Sequence, residues 1–442
     1  MKSSRTLTLA LLAVLLLADV GGSGTLLFFI FLGGCCTAVL TPAWSSAVAE
    51  TVPREELPQA ITSVSIAYNA ARAVGPALAG AVSAVAGSPW NFVLAVAGTL
   101  TMVQAIRRFP PRAHPPSRLP AERLWGGMTS ALRYAWHSEF IRAQLMRTVA
   151  YSACGSALWA LLPVIGARQL GLGAAGVGLL VGCMGAGAVS AGFVLARVRD
   201  RLGLEWLVSL GSLIYAAAML VAAFVASAWA VYPSLALAGA AWMSVMTTFN
   251  TATQTSAPPW VRARAVAMHT LCSLGSFALG SALWGAVSSL AGLPAALSAA
   301  SLFMAAGILL ARPFPLRMGE ARDVTPAILM DDFHVAHEPP PEAGPVAVEI
   351  AYRVQPDRAD AFLDALTLLR APRKRDGATF WRIYRDLSDP SRFVERFIVS
   401  SWASYLHQRA RATLADRELE AALQAFVQEG EPVVVQHYIA ER

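Results

Sequence analysis

The sequence predicts a polytopic α-helical membrane protein that carries a soluble α+β domain at its C-terminus. Three observations carry this expectation. Of 442 residues, 56% are hydrophobic and 14% charged, with a mean hydropathy of +0.51, far from the average of soluble domains. Apolar runs long enough to cross a bilayer recur ten times before residue 312. Charge is unevenly divided: residues 1–312 hold 19 basic and 8 acidic side chains, residues 313–442 hold 16 and 20. The overall surplus of +7 is therefore a basic membrane part followed by an acidic tail, and not the footprint of a nucleic-acid partner. Composition also excludes disorder and a disulfide scaffold.

A hydrocarbon core about 30 Å thick needs roughly 20 apolar residues in helical form. The runs fall at 7–20, 25–48, 58–87, 91–107, 142–166, 174–195, 204–225, 229–252, 263–290 and 293–311. Lys2, Arg5, Arg54, the 107–147 arginines, Arg197, Arg199, Arg201, Arg262, Arg264 and Arg312 mark one set of helix ends, and Arg168 alone marks the other. The positive-inside rule then puts both termini and the tail in the cytoplasm, in a plasma (inner) membrane. The first run, behind Lys2 and Arg5, also has the make-up of a cleavable signal peptide. Its removal would invert every later loop.

Between the two sets of helices, residues 108–120 contain five prolines and form a stiff linker. Leu124, Met128, Leu132, Trp136 and Phe140 then recur every four residues, the stripe of an amphipathic helix lying on the inner leaflet. The expected organisation is a four-helix bundle at 1–107, a cytoplasmic linker at 108–141, a six-helix bundle at 142–312, a second linker at 313–344 and a soluble domain at 345–442.

The chain contains an internal repeat at an offset of 205. Gly75-Pro-Ala-Leu-Ala-Gly-Ala-Val-Ser-Ala-Val-Ala-Gly87 lies over Gly280-Ser-Ala-Leu-Trp-Gly-Ala-Val-Ser-Ser-Leu-Ala-Gly292 with nine of thirteen residues identical, and Pro53, Ala60 and Pro89 fall on Pro258, Ala265 and Pro294. Parallel repeats of this kind build two similar bundles around a central path. The first half holds two helices fewer than the second, so the expectation is that two helices of the repeat precede Met1.

On these residues the chain resembles the major facilitator superfamily, in its exporter-like branch of transmembrane secretion effectors with a soluble C-terminal extension. The most specific pieces are Val52-Pro-Arg-Glu-Glu-Leu-Pro-Gln-Ala60, Asn69-Ala-Ala-Arg-Ala-Val-Gly-Pro-Ala-Leu-Ala-Gly80, Arg375-Asp-Gly-Ala-Thr-Phe-Trp381 and Ser401-Trp402. The resemblance implies two six-helix bundles and alternating access. It implies that Gly75, Pro76 and Gly80 form the fifth-helix motif of exporting antiporters. The family's basic loop, Asp-Arg-x-Gly-Arg-Arg, survives only as Asp200-Arg201-Leu202-Gly203, with Asp200 and Arg201 placed to latch helices by charge or to solvate a turn.

Energy supply is argued by exclusion: the two lysines, Lys2 and Lys374, follow no phosphate-cradling glycine frame. Transport would be passive, gradient-coupled or driven by another protein. Ionisable and polar groups at membrane depth are the candidates for a substrate and ion path. Tyr68, Asn69 and Arg72 share one helical stripe, where Arg72 either meets substrate or bonds carbonyls freed by Pro76. His269 is a proton-coupling candidate or a hydrogen-bonded packing residue. Tyr151, Trp159, Thr247 and Asn250 either line the path or bridge helices. Asp19 sits at a helix end and takes no role. Cys35, Cys36, Cys154, Cys183 and Cys272 lie within helices and read as apolar fillers, so no metal or cofactor is expected.

The tail reads as strand 346–354, helix 357–370, strands 379–387 and 393–400 about Ser388-Asp-Pro-Ser, helix 402–428 and strand 433–439, the β-α-β-β-α-β order of a ferredoxin-like fold. It is similar to the antibiotic-biosynthesis-monooxygenase type of small domain, usually dimeric. Trp381, Trp402, Tyr405, His407 and His437 are the residues that would line its pocket. The tail contains no asparagine, a residue that cofactor-free and haem-degrading relatives use, which favours a regulatory or dimerising module over an oxygenase. The leading expectation is a non-enzymatic exporter of small amphipathic molecules, driven by protons. The alternatives are a membrane-tethered oxygenase and a truncated anchor that does not transport.

Overall fold

A computed structural model describes residues 24, 28–29, 31–34, 52–86, 89–108, 124–327 and 337–441. The predicted run at 7–20, most of that at 25–48 and the proline-rich linker lie outside them. The described residues form α1 (Leu57–Ala86), α2 (Pro89–Arg108), α3 (Leu124–His137), α4 (Glu139–Val164), α5 (Ala174–Leu202), α6 (Leu204–Phe224), α7 (Ala228–Ser256), α8 (Pro259–Ala291) and α9 (Leu293–Ala306). Among them, Glu139–Gln169, Gly176–Leu202, Leu204–Phe224, Ala228–Ser256, Pro259–Ala291 and Leu293–Ala311 are long and apolar enough to cross a membrane. Helices dominate because in lipid every backbone N–H and C=O must bond within its own segment.

Local sequence sets the helix ends. Gly203 (φ 76°) separates α5 from α6 and Gly292 (φ 88°) separates α8 from α9, a conformation that costs a side chain and suits glycine. Prolines open α2 and α8, where the missing N–H has no partner to lose. Pro163 lies within α4, which widens into a π-turn at Ile165–Gln169 and leaves Gln169 donating to the Val225 carbonyl at 3.2 Å. The described part of α1 ends at Ala86 and α8 at Ala291, 205 residues apart as in the sequence repeat, while their starts, Leu57 and Pro259, lie 202 apart.

The described residues divide into two compact units, one of residues 1–113, 145–251 and 266–316, the other of residues 114–144, 252–265 and 317–442. In the first, helices meet backbone to backbone. A Cβ added to Gly187 of α5 would fall 1.8 Å from the Ala236 carbonyl oxygen of α7, and one on Gly239 would fall 1.9 Å from that of Met184. Gly192 likewise makes room for Ile66 of α1. Small residues allow this approach, which drives association where lipid removes any hydrophobic gain. The core around these contacts runs through Leu158, Leu162, Leu180, Met184, Tyr215, Met219 and Phe249.

The second unit contains a four-stranded antiparallel sheet in the order β2-β3-β1-β4, built from β1 (Val346–Arg353), β2 (Phe380–Arg385), β3 (Arg392–Val399) and β4 (Val434–Ile439). Val346, Val348, Ile350 and Tyr352 of β1 alternate inward, the period-two pattern of a half-covered sheet. At the β2–β3 turn the Asp386 carboxylate accepts from the Ser388 N–H at 2.8 Å and hydroxyl at 2.6 Å, which holds its pKa down to about 2.

Two helices separate β1 from β2: α10 (Ala359–Thr367) and α11 (Arg370–Asp376). Two more, α12 (Trp402–Arg411) and α13 (Leu414–Leu423), stand where the sequence suggests one helix over 402–428. The break falls at Ala412, because Thr413 caps α13 in a box with Asp416, satisfying N–H groups that a continuous helix would bond to carbonyls.

Replacing Gly187 by Val is expected to separate α5 from α7 and cost about 1–3 kcal/mol, read as a lower unfolding temperature of the purified chain in detergent. An unchanged temperature would remove the close approach.

Candidate functional site

In the first unit the polar groups of the second bundle form a ladder between α4 and α8. Thr148 Oγ1 lies 3.5 Å from His269 Nδ1 and Ser152 Oγ lies 3.3 Å from Ser273 Oγ. One rung further, a Cβ on Gly280 would fall 2.4 Å from Ser156 Oγ and from the Ala153 carbonyl oxygen. Thr148, Ser152 and Ser156 are fully buried, and His269 is 8% exposed. The four-residue spacing 148, 152, 156 puts all three on one face of α4, a signal the sequence reading passed over. The repeat gives Gly280 and Gly75 equivalent positions, yet a Cβ built on Gly75 would meet no described atom of another element within 4 Å.

Beside the ladder stands an aromatic cluster. Tyr151 packs with Trp242, Tyr215 and Phe249 at centroid distances of 5.5, 6.0 and 6.2 Å. Gly155 admits the Trp242 ring, which would lie 2.5 Å from a Cβ there. The Tyr215 hydroxyl donates to the Gly155 carbonyl at 2.9 Å and the Trp284 indole donates to that of Ala153 at 2.8 Å. Buried tyrosine and tryptophan polar atoms normally find such partners. The Tyr151 hydroxyl is buried without one. Tyr151 borders a cavity of about 20 Å³ with Arg147, Ser212 and Phe249, room for a single water.

Of the predicted path residues, Tyr151, Thr247 and His269 are buried and Trp159 and Asn250 half-buried. Tyr68 of α1 is 67% exposed, while the side chains of Asn69, Arg72, Pro76 and Gly80 lie outside the described ones. Asp200 is exposed at the end of α5, 3.9 Å from Arg199, and Arg201 is exposed beside it. Gly203 makes the turn. At this end the buried Arg147 of α4 instead pairs with the half-buried Glu205 of α6, at 2.5 Å, and Glu205 also accepts from the Leu316 N–H. These partners are 58 and 111 residues apart, so spacing alone does not reveal them.

In the second unit the buried carboxylate of Glu395 organises the sheet's inner face. It accepts from Arg373 Nε at 3.1 Å, Trp381 Nε1 at 2.8 Å and Tyr352 hydroxyl at 3.5 Å, and Arg373 also reaches Glu420 at 2.7 Å. A cavity of about 210 Å³ opens here, with Val348, Ile350 and Phe397 on the sheet side and Arg373, Tyr405 and Arg417 on the helix side. Glu395 is legible in β3: in Phe393-x-Glu395-x-Phe397-x-Val399 a glutamate takes an inward position.

The five predicted pocket residues do not form one pocket. Tyr405 lines the 210 Å³ cavity and its hydroxyl lies 2.6 Å from His437 Nε2. Trp402 stacks on Tyr405 at 5.4 Å as a core residue. Trp381 faces Glu395, and His407 lines a separate cavity. They scatter because Trp402, Tyr405 and His407 are spread around α12, while Trp381 and His437 lie on β2 and β4, the opposite edge strands of the sheet.

The motif Arg375-Asp-Gly now has a physical basis. Arg375 holds Asp376 at 2.7 Å and Asp416 at 2.6 Å, and Gly377 takes φ 152°. Tyr134 of α3 lies under Arg375, meets Trp260 edge-on at 5.5 Å and donates to the Ser256 carbonyl. Burial, against the opposing Arg375 charge, pushes the Tyr134 pKa up to about 12. Arg411 stacks on Trp260 at 4.2 Å and donates to the Asp376 carbonyl. This cluster joins α3, the corner between α7 and α8, and the tail.

A bundle of long apolar helices with a buried polar ladder defines a multi-pass membrane protein of the major facilitator transporter fold. The solved structures share it: the human organic anion transporter MFSD10 (TETRAN) at 18% identity over 70% of this chain and 75% of that one, TM-score 0.59. The E. coli fucose:proton symporter FucP matches at 16% over 72% and 82%, TM-score 0.57. A bacterial homologue of the iron transporter ferroportin matches at 16% over 71% and 78%, TM-score 0.50. At such identities the likeness is one of fold. The sequence profile of the transmembrane secretion effectors (MFS_3) matches residues 2–442, and the chain belongs to that family. No curated protein matches it.

Truncating Glu395 to Ala strands the largely buried Arg373 and is expected to cost the tail about 3 kcal/mol or more, measured by hydrogen exchange of β1 and β3 in the full chain. Burial first and Arg409 second lower the pKa of His437 from its usual 6.5. The folded tail therefore binds fewer protons than the unfolded chain below about pH 6.5. Its stability rises with pH across that window and is lost as pH falls through it. The protection factors of β4 amides, which correct for the intrinsic pH dependence of exchange, should fall between pH 7.5 and 5, and His437→Gln should flatten that fall.

Proposed function

We propose that the protein is a secondary transporter that exports a small amphipathic molecule across the plasma (inner) membrane in exchange for protons. The observation that carries this reading is membership of the secretion effector family along residues 2–442. The fold and the repeat support alternating access of two bundles. The path runs along Tyr68, Asn69 and Arg72 of α1 and Tyr151, Trp159, Thr247, Asn250 and His269 of the second bundle. Gly75, Pro76, Gly80 and the Asp200, Arg201, Gly203 turn act in gating. His269, held against Thr148 in an apolar bundle, is the proton-coupling group. The arginine-rich ends support a topology with both termini and the tail in the cytoplasm.

The tail, whose strand order and intervening helices support a ferredoxin-like fold, acts as a regulatory module. Its edge strand β4, with Val434 and Tyr438 exposed, is the surface for pairing with a second copy.

The test is accumulation of a fluorescent amphipathic dye in everted vesicles containing the full chain. Uptake should require a proton gradient and stop with a protonophore. His269→Ala should abolish the gradient dependence, and Tyr151→Phe, which removes a hydroxyl with no partner among the described residues and free to bond substrate, should lower uptake about 5-fold, one hydrogen bond's worth of about 1 kcal/mol. Absence of gradient-dependent uptake for dyes and siderophores alike would overturn the transporter reading. Oxygen consumption by the purified chain with quinols would replace it with the oxygenase.

A further inference from the structure

The helix α3 presents three distinct faces within the second unit. One, with Ala131, Tyr134 and Ala135, is buried. A second is apolar and open: Trp125, Met128, Leu132 and Trp136 are 74%, 56%, 62% and 71% exposed. The third, with Thr129, Ser130 and Arg133, lines a cavity of about 540 Å³. At about 100° per residue, the cavity face is centred roughly a quarter turn from the open apolar stripe.

The opposite wall of the cavity is the start of α12. Ser400 and Ser401 hydroxyls lie 2.9 and 3.0 Å from that of Ser404, and His407 and Arg411 follow along the helix. Arg411 is 7% exposed and fixed in place by its stacking on Trp260, its bond to the Asp376 carbonyl and its approach to Ser130 Oγ at 3.5 Å. Arg133 is half-buried, and among the described residues it has no hydrogen bond or ion pair. Desolvation lowers its pKa, and among the described residues no carboxylate offsets it. Among the described residues, Glu342 is the single carboxylate on the walls. The excess continues outward: His137 is held below its ordinary pKa by burial and then by Lys374, Arg133, Arg142 and Arg370.

A guanidinium that gives up water without an acidic neighbour is stabilised by an anion. Hydroxyls and a second, immobilised guanidinium around the same space suit the tetrahedral oxygens of a phosphate. The adjoining apolar stripe requires that the phosphate be attached to a hydrophobic body. We propose that this cleft binds the phosphodiester headgroup of an anionic phospholipid whose acyl chains lie along Trp125, Met128, Leu132 and Trp136. The site makes the tail a lipid-sensing module, and it stands independently of the transport reading.

The test uses the full chain purified in detergent and native mass spectrometry, with phosphatidylglycerol and phosphatidylcholine of the same acyl chains as probes. One phosphatidylglycerol should bind at least tenfold more tightly than phosphatidylcholine. Arg133→Ala should lower its affinity at least tenfold, and Arg133→Lys should restore most of it. Leu132→Ser with Trp136→Ser should weaken the lipid as well. Thr129→Glu, which adds a charge to the cavity wall and leaves the buried face of α3 untouched, should act like Arg133→Ala and covers the case of an unfolded alanine variant. Equal binding of the two lipids, or phosphatidylglycerol retention unchanged in both Arg133→Ala and Thr129→Glu, would overturn the proposal. Displacement of the lipid by equimolar inorganic phosphate would overturn its lipid source.

Discussion

The constraint on which the membrane part depends is that hydrocarbon offers no partner to a polar atom. Hydroxyl groups in its helices accordingly turn back on their own backbone: Thr62 donates to the Pro58 carbonyl, Ser212 to Val208, Thr248 to Ser244 and Thr270 to Val266. Other side chains pair across helices, as in the Thr148–His269 and Ser152–Ser273 rungs. Glycine completes the arrangement. Where Gly187 and Gly239 remove a Cβ, two backbones touch and dispersion replaces the hydrophobic effect as the source of cohesion.

The second unit solves the opposite problem, because water competes for its charges and a buried ion is costly unless several partners hold it. Glu395 has three donors, and Arg375 has two carboxylates. Such networks are poor sources of net stability, since both members lose hydration, but they penalise every arrangement in which one member is left alone. The cluster of Arg375, Tyr134, Trp260 and Arg411 is of this kind. It draws together a connector helix, a corner between two apolar helices and a sheet domain that are far apart in the chain.

Much of the fold was legible in the sequence. Hydropathy located the six spans of the second bundle, because lipid imposes its length requirement on each helix separately, and the repeat pointed to α1 and α8 as related helices. Strand alternation located the four strands of the tail. The candidate site was legible only in part. His269 and Tyr151 stood out as polar groups in apolar runs, and both lie in or beside the ladder. Arg147 and Glu205 did not, because their pairing joins two helices that local spacing does not connect. The aromatic and imidazole residues of the tail shared a chemistry without sharing a place.

Sequence by itself determined which segments are long and apolar enough to enter lipid, which ends carry positive charge, and where sheet and helix alternate in the tail, since each of these is a property of one segment and its solvent. Tertiary structure alone decided which polar side chains meet. Thr148 finds His269 across 121 residues, and Tyr134 finds Arg375 across 241, through the crossing of helices and the docking of the tail. Those pairings depend on close packing in three dimensions, for which a linear pattern carries no signal.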